Sequence, residues 1–298
     1  MLSFHSMGTE VAVSAPLLSE GDEASVAHRV AEVFFRSECR FSRFRHDSEL
    51  TQLNSSRTPM RVSTELFDIL RSARDYFELT GGLFDPTVGS TLVALGYDRS
   101  FAPGALDRPS AQPPLPYTFA DVVLDEATRT VEKSTHVRLD LGGIVKGRTV
   151  DAAGKLLPTP AAIDAGGDAV LLGSGVSGTG WIVEVEDPRD FHRNLLTLRV
   201  DNLAVATSGA NRRRWMVGGT IAHHLIDPRT RMPAASDLTQ VTVVAGTVEL
   251  AEILAKTTFI LGSDDGDSFL RQFAGIAAIL VGIGGDLWTV GDLEVLHA

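Results

Sequence analysis

The sequence contains a single cysteine, Cys39, among its 298 residues. One cysteine excludes an internal disulfide, and its distance from other candidate ligands gives no indication of a metal site. We interpret Cys39 as a buried core residue. No stretch is long and apolar enough to cross a bilayer, and the N-terminal residues lack the basic segment and apolar run of a secretory signal. These absences lead us to expect a cytoplasmic protein without membrane insertion.

An excess of positive charge is also absent, because 27 lysines and arginines are outnumbered by 38 aspartates and glutamates, for a net charge of −11. This balance argues against nucleic acid as the principal partner. The apolar content of 44% is typical of a folded globular protein. We expect one globular domain over residues 1–298, which can have two lobes, with an exposed excursion at 101–117, where five prolines exclude regular structure.

Hydrophobic periodicity predicts four long helices, over 20–40, from Ser63 or Thr64 to just before Gly81, over 145–157 and over 248–261. Alternation and β-branched residues predict a series of short strands: 8–15, 122–124, 130–132, 137–139, 161–164, 170–172, 181–185, 195–200, 203–207, 214–217, 241–245 and 277–281. Because most connections between these strands are short, we expect mostly antiparallel pairing. Runs of strands with inserted helices indicate a mixed α+β fold rather than a doubly wound sheet.

Five short segments carry most of the candidate chemistry. In chain order they are Gly81–Gly89 (GGLFDPTVG), Asp140–Gly147 (DLGGIVKG), Asp164–Asp168 (DAGGD), Thr207–Gly209 (TSG) and His224–Pro228 (HLIDP). Their glycines permit close approach of a backbone or ligand. Carboxylates, a lysine, two hydroxyls and a histidine are interleaved with them. This composition is typical of a site that holds a large phosphorylated ligand.

The same segments, in the same order, make the sequence resemble the ApbE family of flavin transferases, the FAD:protein FMN transferases. Further matches extend the resemblance from the N-terminus to about Gly262: Met7-Gly-Thr, Phe41-Ser-Arg-Phe-Arg ahead of Ser48-Glu49, and Asn54. The resemblance implies an ApbE-like, T-fold-related α+β unit with mostly antiparallel sheets and an FAD cleft. It also implies an enzyme that cleaves FAD, attaches FMN to a threonine of an acceptor protein and releases AMP.

The resemblance further implies which residues contact FAD: Met7, Phe44, Leu83, Phe84, Asp85, Asp140, Lys146, Thr207, Ser208 and Ile226. Phe44 stands where many relatives carry a tyrosine, so its ring can stack on FAD but lacks the hydroxyl. Asp140 and Lys146 flank Gly142 and Gly143, and amides at the start of a helix suit a diphosphate. Lys146 can then place its charge on the pyrophosphate, which makes it a catalytic candidate.

His224 holds the family's His-x-x-Asp-Pro position, where the resemblance implies the catalytic base. Removing the proton of a threonine hydroxyl requires such a group, and histidine is the usual one. A lone histidine is more often structural, and His223 is adjacent, but we favour His224. After Asp227-Pro the family continues x-Thr-Gly, whereas this chain has Arg231. If that turn requires positive φ, arginine is disfavoured there and the loop is expected to differ.

The helix over 248–261 departs from the family in its implied metal site. Most relatives carry an aspartate and, four residues later, a threonine, and both bind Mg²⁺ together with a backbone carbonyl at the position of Gly143. Here the two side chains are Glu252 and Lys256. Glu252 can bind a cation, but a lysine ammonium has no acceptor. Either the two residues form an ordinary surface pair, or Lys256 replaces the metal.

Several of these residues also have a structural interpretation that the sequence leaves open. Asp85 can bond its own backbone in a turn. The segment around Asp164 is read most simply as a hairpin, with Asp168 lining the cleft. Thr207 and Ser208 can cap a turn without any ligand, and Met7 can be an apolar strand residue.

The sequence is also compatible with two alternatives to FMN transfer. Water can replace the threonine, which makes the enzyme an FAD pyrophosphatase that gives FMN and AMP. Alternatively, the altered metal helix can leave a non-catalytic FAD-binding protein.

Overall fold

The computed structural model of the chain describes residues 1–99 and 116–296, so the predicted proline-rich excursion lies almost wholly outside the described residues. Internal contacts divide the chain into two compact units. The sheet unit comprises Met1–Arg36, Lys146–Asn211 and Ser236–Ala298, and the inserted unit comprises Ser37–Val145 and Arg212–Ala235. The single domain expected from the sequence stays a prediction.

The α-helices of the described residues are α1 (Glu20–Phe41), α2 (Glu49–Ser55), α3 (Thr64–Leu79), α4 (Gly89–Ala94), α5 (Val145–Gly154), α6 (Val248–Leu261) and α7 (Ser263–Leu270). The strands are β1 (Leu2–Ser6), β2 (Thr9–Ser14), β3 (Met60–Arg61), β4 (Val123–Asp125), β5 (Thr130–Glu132), β6 (Ala161–Ala165), β7 (Asp168–Leu172), β8 (Trp181–Asp187), β9 (Asp190–Val200), β10 (Ala204–Gly209), β11 (Arg214–Val217), β12 (Thr220–His223), β13 (Ile226–Asp227), β14 (Met232–Pro233), β15 (Leu238–Ala245), β16 (Ala277–Gly282), β17 (Leu287–Val290) and β18 (Glu294–Leu296).

The sheet unit is built on an eight-stranded sheet in the order β1-β2-β6-β7-β10-β15-β16-β17. Every neighbouring pair in it is antiparallel. One face packs against α1, α5 and α6 through a core that includes Val11, Val13, Phe34 and Ile163. The other face packs against the three-stranded sheet β18-β9-β8. Because both faces are covered, β15 and β16 are buried along nearly their whole length.

The inserted unit contains α2, α3, α4, a small sheet β3-β5-β4 and two hairpins, β11-β12 and β13-β14. Serine side chains cap the N-termini of two of its helices. Ser48 accepts a hydrogen bond from the backbone N–H of Thr51, and Ser63 accepts one from the backbone N–H of Leu66. Glu49 joins these helix starts, since its carboxylate accepts from the backbone N–H and the hydroxyl of Ser63 at 2.5 and 2.6 Å.

The predicted mixed α+β fold with mostly antiparallel pairing is confirmed, as are the long helices α1, α3 and α6. The strand predicted over 137–139 is wrong. The backbone of Leu139 pairs with a side chain and not with a neighbouring strand. The Asn54 amide accepts a hydrogen bond from Leu139 N at 2.7 Å and donates one to Leu139 O at 2.9 Å. Cys39 is half-buried rather than a core residue. Sequence periodicity also missed β1 and the short helix α2, and α5 ends three residues early, at Gly154.

No helix among the described residues has both the length and the apolar character needed to span a membrane. The cytoplasmic location inferred from the sequence stays a prediction.

Candidate active site

The Asp85 loop of the inserted unit follows α3 and is held by its own side chain. Asp85 Oδ1 accepts from the backbone N–H of Thr87 at 2.8 Å and from its hydroxyl at 2.6 Å. The carboxylate is fully buried, and burial raises the pKa of Asp85, although the bonds from Thr87 and the charge of Arg231 oppose this. Both oxygens are therefore engaged within the protein, which favours the interpretation as a turn over direct contact of this carboxylate with FAD.

Arg231 is the second partner of Asp85, and sequence reasoning gave it no role. It has φ of +57°, so the left-handed residue of the turn is retained even though glycine is absent. Its side chain is 10% exposed and turns inward, where the guanidinium reaches Asp85 Oδ2 at 3.4 Å, the Thr87 hydroxyl at 3.2 Å and the carbonyl of Tyr117. The sequence predicted a different loop where Arg231 replaces the family's glycine. The turn is instead retained, and the arginine adds a buried ion pair.

The remaining side chains of the Asp85 loop pack inward or lie half-buried. Phe84 is buried edge-on against Tyr76, with ring centroids 6.2 Å apart, while Leu83 is half-buried. The loop also contacts the Asp140 segment, because Asp140 N donates to Pro86 O at 2.8 Å. The inserted unit therefore brings the two predicted FAD segments next to each other.

Asp140 and Phe44 are joined by a residue that the sequence analysis did not single out, Arg43. Its Nε donates to Asp140 Oδ2 at 2.7 Å, and its guanidinium lies 4.1 Å from the centroid of the Phe44 ring. The centroid of the Tyr97 ring lies 4.7 Å from the same guanidinium, and the backbone carbonyl of Tyr97 accepts a hydrogen bond from Arg43 Nη1. Asp140 Oδ1 accepts from Gly142 N at 2.7 Å, so Asp140 is held from both sides. Phe44 is 37% exposed, which leaves part of its ring for a ligand.

The two adjacent histidines have different surroundings. His223 ends β12, and its Nε2 lies 3.2 Å from the carbonyl of Ala234. Burial lowers the pKa of His223. His224 follows the strand and is half-buried, and Ile226 after it is buried in a cluster with Trp215 and Leu95. The His223 ring is therefore placed against the backbone at Ala234, and the assignment of the catalytic base to His224 stays a prediction.

In the sheet unit, Lys146 forms an ion pair with Asp168, whose carboxylate is buried. Asp168 lies in the β6-β7 hairpin, which the glycine turn had predicted. Thr207 bonds Thr242 on the neighbouring strand, with 2.9 Å between the hydroxyl oxygens. Because successive strand residues point to opposite faces, Ser208 lies on the other face, which it shares with Asp168. Only Ser208, of the two predicted hydroxyls, is on the Lys146–Asp168 side of the sheet.

Met7 occupies the turn of the β1-β2 hairpin, with φ of +53°, ahead of Gly8 at +72°. A two-residue hairpin turn whose twist matches that of the flanking strands requires positive φ at both of its central residues. The Met7 side chain is half-buried against the α1 side of the core.

Helix α6 carries Glu252 and Lys256, and α5 holds it in place. A Cβ on Gly147 would lie 2.8 Å from the backbone of Glu249, so only glycine allows this approach of the two helices. Asp151 accepts from the first two amides of α6, at 2.9 and 3.0 Å, and Arg148 forms an ion pair with Glu249. Glu252 is buried and accepts from Gly147 N at 3.1 Å.

These residues do not fit the Mg²⁺ site implied by the resemblance. One oxygen of Glu252 is bonded to an amide, and the next side chain on that helix face is an ammonium, which cannot bind a cation. Within residues 1–99 and 116–296 there is also no cluster of three or more His, Cys, Asp or Glu side chains that could hold a metal.

Comparison with known proteins matches residues 7–280 to the ApbE family. The FAD:protein FMN transferase of Treponema pallidum is 30% identical, over 88% of this chain and 79% of its own length. That of Haemophilus influenzae is 28% identical, over 88% and 81%. The crystal structure of the ApbE protein from Thermotoga maritima superimposes with a TM-score of 0.84 at 27% identity and covers 97% of this chain and 96% of that one. Flavin transferase ApbE from Vibrio cholerae, at 23% identity, shares the fold with a TM-score of 0.79 over 98% of this chain and 96% of that one.

Proposed function

The chain belongs to the ApbE family and is a flavin transferase, and we propose that it attaches FMN from FAD to a threonine of an acceptor protein and releases AMP. The observation that carries this proposal is the collinear match over residues 7–280. That match includes the segments of Asp85, Asp140, Lys146 and His224. FAD is a substrate in this scheme, and the acceptor protein is the second substrate.

The proposed reaction is a displacement at the phosphorus of the FMN half. The threonine oxygen attacks that phosphorus, and the bond from it to the bridging oxygen of the pyrophosphate breaks. AMP leaves with the bridging oxygen, while His224 takes the hydroxyl proton as general base. In phosphoryl transfer, positioning and charge stabilisation supply most of the rate acceleration.

We assign the charge stabilisation to Lys146. Its ammonium forms an ion pair with Asp168, which can hold the lysine in place, and an ammonium is a donor suited to a phosphate oxygen. Asp168 then acts as a positioning residue. Phe44, Asp140, Ser208 and Met7 remain proposed FAD contacts, together with the backbone of the Leu83–Asp85 and Ile226 segments.

The side chains of α6 do not suit Mg²⁺, so none of the steps above uses the ion. We propose that Lys256 supplies positive charge in place of the ion. A magnesium ion held by the Gly143 carbonyl and Glu252 is the alternative, and the two differ in their response to a chelator.

The test incubates the purified full-length chain with FAD and a threonine-bearing acceptor, with Mg²⁺ or with a chelator, and follows AMP release and the mass of the acceptor. FMN transfer in both conditions supports the whole proposal, whereas transfer only with Mg²⁺ supports the transferase and overturns the role of Lys256. AMP without modification of any acceptor would indicate the pyrophosphatase. FAD that stays intact on the protein would indicate a binding protein.

Lys256→Thr is expected to convert a chelator-resistant enzyme into a magnesium-dependent one. Threonine provides an oxygen ligand one turn from Glu252 and removes the competing charge. We expect the variant to lose about tenfold or more of its activity in chelator and to recover it with Mg²⁺. Calorimetry should show Mg²⁺ binding to the variant alone, independently of turnover.

The matched control for this variant is Lys155→Thr, which changes an exposed lysine outside α6. It should remain chelator-resistant. Magnesium dependence of the unmodified chain, or none in Lys256→Thr, would contradict the assignment of Lys256.

A further inference from the structure

The inserted unit contains a cavity of about 670 Å³ that the proposed reaction does not use. It is lined by α2 and its C-terminal end, by α4, and by the segment from Thr135 to Leu139. Three arginines line it, namely Arg43, Arg57 and Arg138. The cavity thus concentrates positive groups in a chain whose acidic residues outnumber its basic ones by 38 to 27.

Of the three cavity arginines, Arg43 pairs with Asp140, whereas Arg57 and Arg138 are not balanced by a carboxylate of the described residues. Asp98 is the acidic residue of the lining, and it already pairs with Arg99, 3.2 Å away. The exposed guanidinium groups of Arg57 and Arg138 have no ion pair within residues 1–99 and 116–296.

Arg43 supplies a second, independent observation. Its side chain is only 8% exposed, and two of its three guanidinium nitrogens are bonded, to Asp140 and to the carbonyl of Tyr97. The third, Nη2, is buried and has no hydrogen-bond partner among the described residues. A buried charged donor without an acceptor is costly, so native proteins usually satisfy it with a ligand, an ion or water.

We propose that this cavity is a binding site for a phosphate-class oxyanion, separate from the proposed Lys146 site. Arginine forks match phosphate oxygens and bind them with charge-assisted hydrogen bonds. The hydroxyls of Ser55 and Thr135 also line the cavity and can donate to the same group. A phosphate offers three or more acceptor oxygens to donors on different walls, whereas a carboxylate offers only two. The volume admits either inorganic phosphate or the phosphate of a monoester such as a nucleotide.

The experiment is calorimetric titration of the full-length chain with inorganic phosphate, with AMP and with adenosine, and with sodium chloride at matched ionic strength as the salt control. We expect phosphate to bind and adenosine and chloride to give no comparable signal. AMP binding tighter than phosphate would assign the site to a nucleotide monoester. Equal binding of the two would assign it to the phosphate group alone.

The test variant is Arg57→Gln combined with Arg138→Gln, because both side chains are exposed and their loss leaves the core intact. Each lost charge-assisted contact should weaken phosphate binding about tenfold, so the double variant should bind about a hundredfold more weakly. The matched control is Arg61→Gln, an exposed arginine of β3 outside the cavity, and it should bind as the parent does. Unfolding midpoints measured without anion check that all variants are folded.

Two results would overturn the proposal. One is the absence of phosphate binding beyond the chloride control. The other is phosphate binding of equal strength in the parent and in the double variant, which would place the anion elsewhere. Neither measurement depends on FMN transfer, so failure here is distinguishable from failure of the proposed function.

Discussion

Replacing His224 with alanine is expected to lower the rate of FMN transfer by about 10²- to 10⁴-fold, the usual contribution of a general base. The threonine hydroxyl holds its proton tightly at neutral pH, so attack slows when no group accepts it. FAD affinity should change little, because the proposed role of His224 lies in the reaction and not in binding. The measurement pairs the rate of AMP release at saturating FAD with an equilibrium titration of FAD.

His223→Gln is the control, since the two histidines are adjacent and only their surroundings differ. The His223 ring lies within hydrogen-bond distance of the carbonyl of Ala234, and glutamine can donate to that carbonyl. We expect a small loss of stability and near-parental transfer. Full activity in His224→Ala, or a larger loss in His223→Gln, would exclude His224 as the base.

Arg231→Gly is expected to lower the free energy of unfolding by about 3–5 kcal/mol, the usual effect of removing one partner of a buried ion pair. Glycine is chosen because it accepts the φ of +57° without strain, so backbone conformation does not account for a loss. What remains is the fully buried Asp85 carboxylate without its guanidinium. Urea unfolding of the parent and the variant gives the difference.

The same variant should show a characteristic pH dependence. Burial already raises the pKa of Asp85, and removal of Arg231 raises it further. An acid whose pKa is higher in the folded state contributes stability below its unfolded pKa, and this contribution is lost as pH rises through the folded value. The loss of unfolding free energy in Arg231→Gly, relative to the parent, should therefore be smaller at pH 5 than at pH 8. Adding Asp85→Asn should recover part of this loss.

Arg71→Ala provides the comparison for this stability measurement, because Arg71 pairs with Asp68 on the surface of α3 at 2.9 Å. Exposed pairs of this kind are worth about 1 kcal/mol or less. Arg231→Gly could instead lose no more unfolding free energy than Arg71→Ala, with the same loss at both pH values. That result would show that the Asp85–Arg231 pair does not stabilise the loop.

Two arginines near the predicted FAD segments have roles that only their partners in the fold reveal. Arg231 replaces a glycine, yet the turn retains its left-handed residue, and the added side chain neutralises Asp85. Arg43 lies in a matched segment but gave no signal of its own in the sequence. In the structure it joins Phe44, Asp140 and Tyr97 around one guanidinium. Both arginines adjoin the predicted FAD segments, and each bonds a carboxylate there: Arg231 that of Asp85, and Arg43 that of Asp140.

The sequence by itself determined the family, the mixed α+β class and the long helices α1, α3 and α6, because motif order and helical periodicity are properties of neighbouring residues. It also predicted the β6-β7 hairpin from two consecutive glycines. The tertiary structure decided which charges meet: Asp85 and Arg231 are 146 residues apart, and Arg43 and Asp140 are 97 apart. It also decided that residues 137–139 bond the side chain of Asn54 rather than a strand. Local pattern carries no information about such partners, since burial and long-range packing select them.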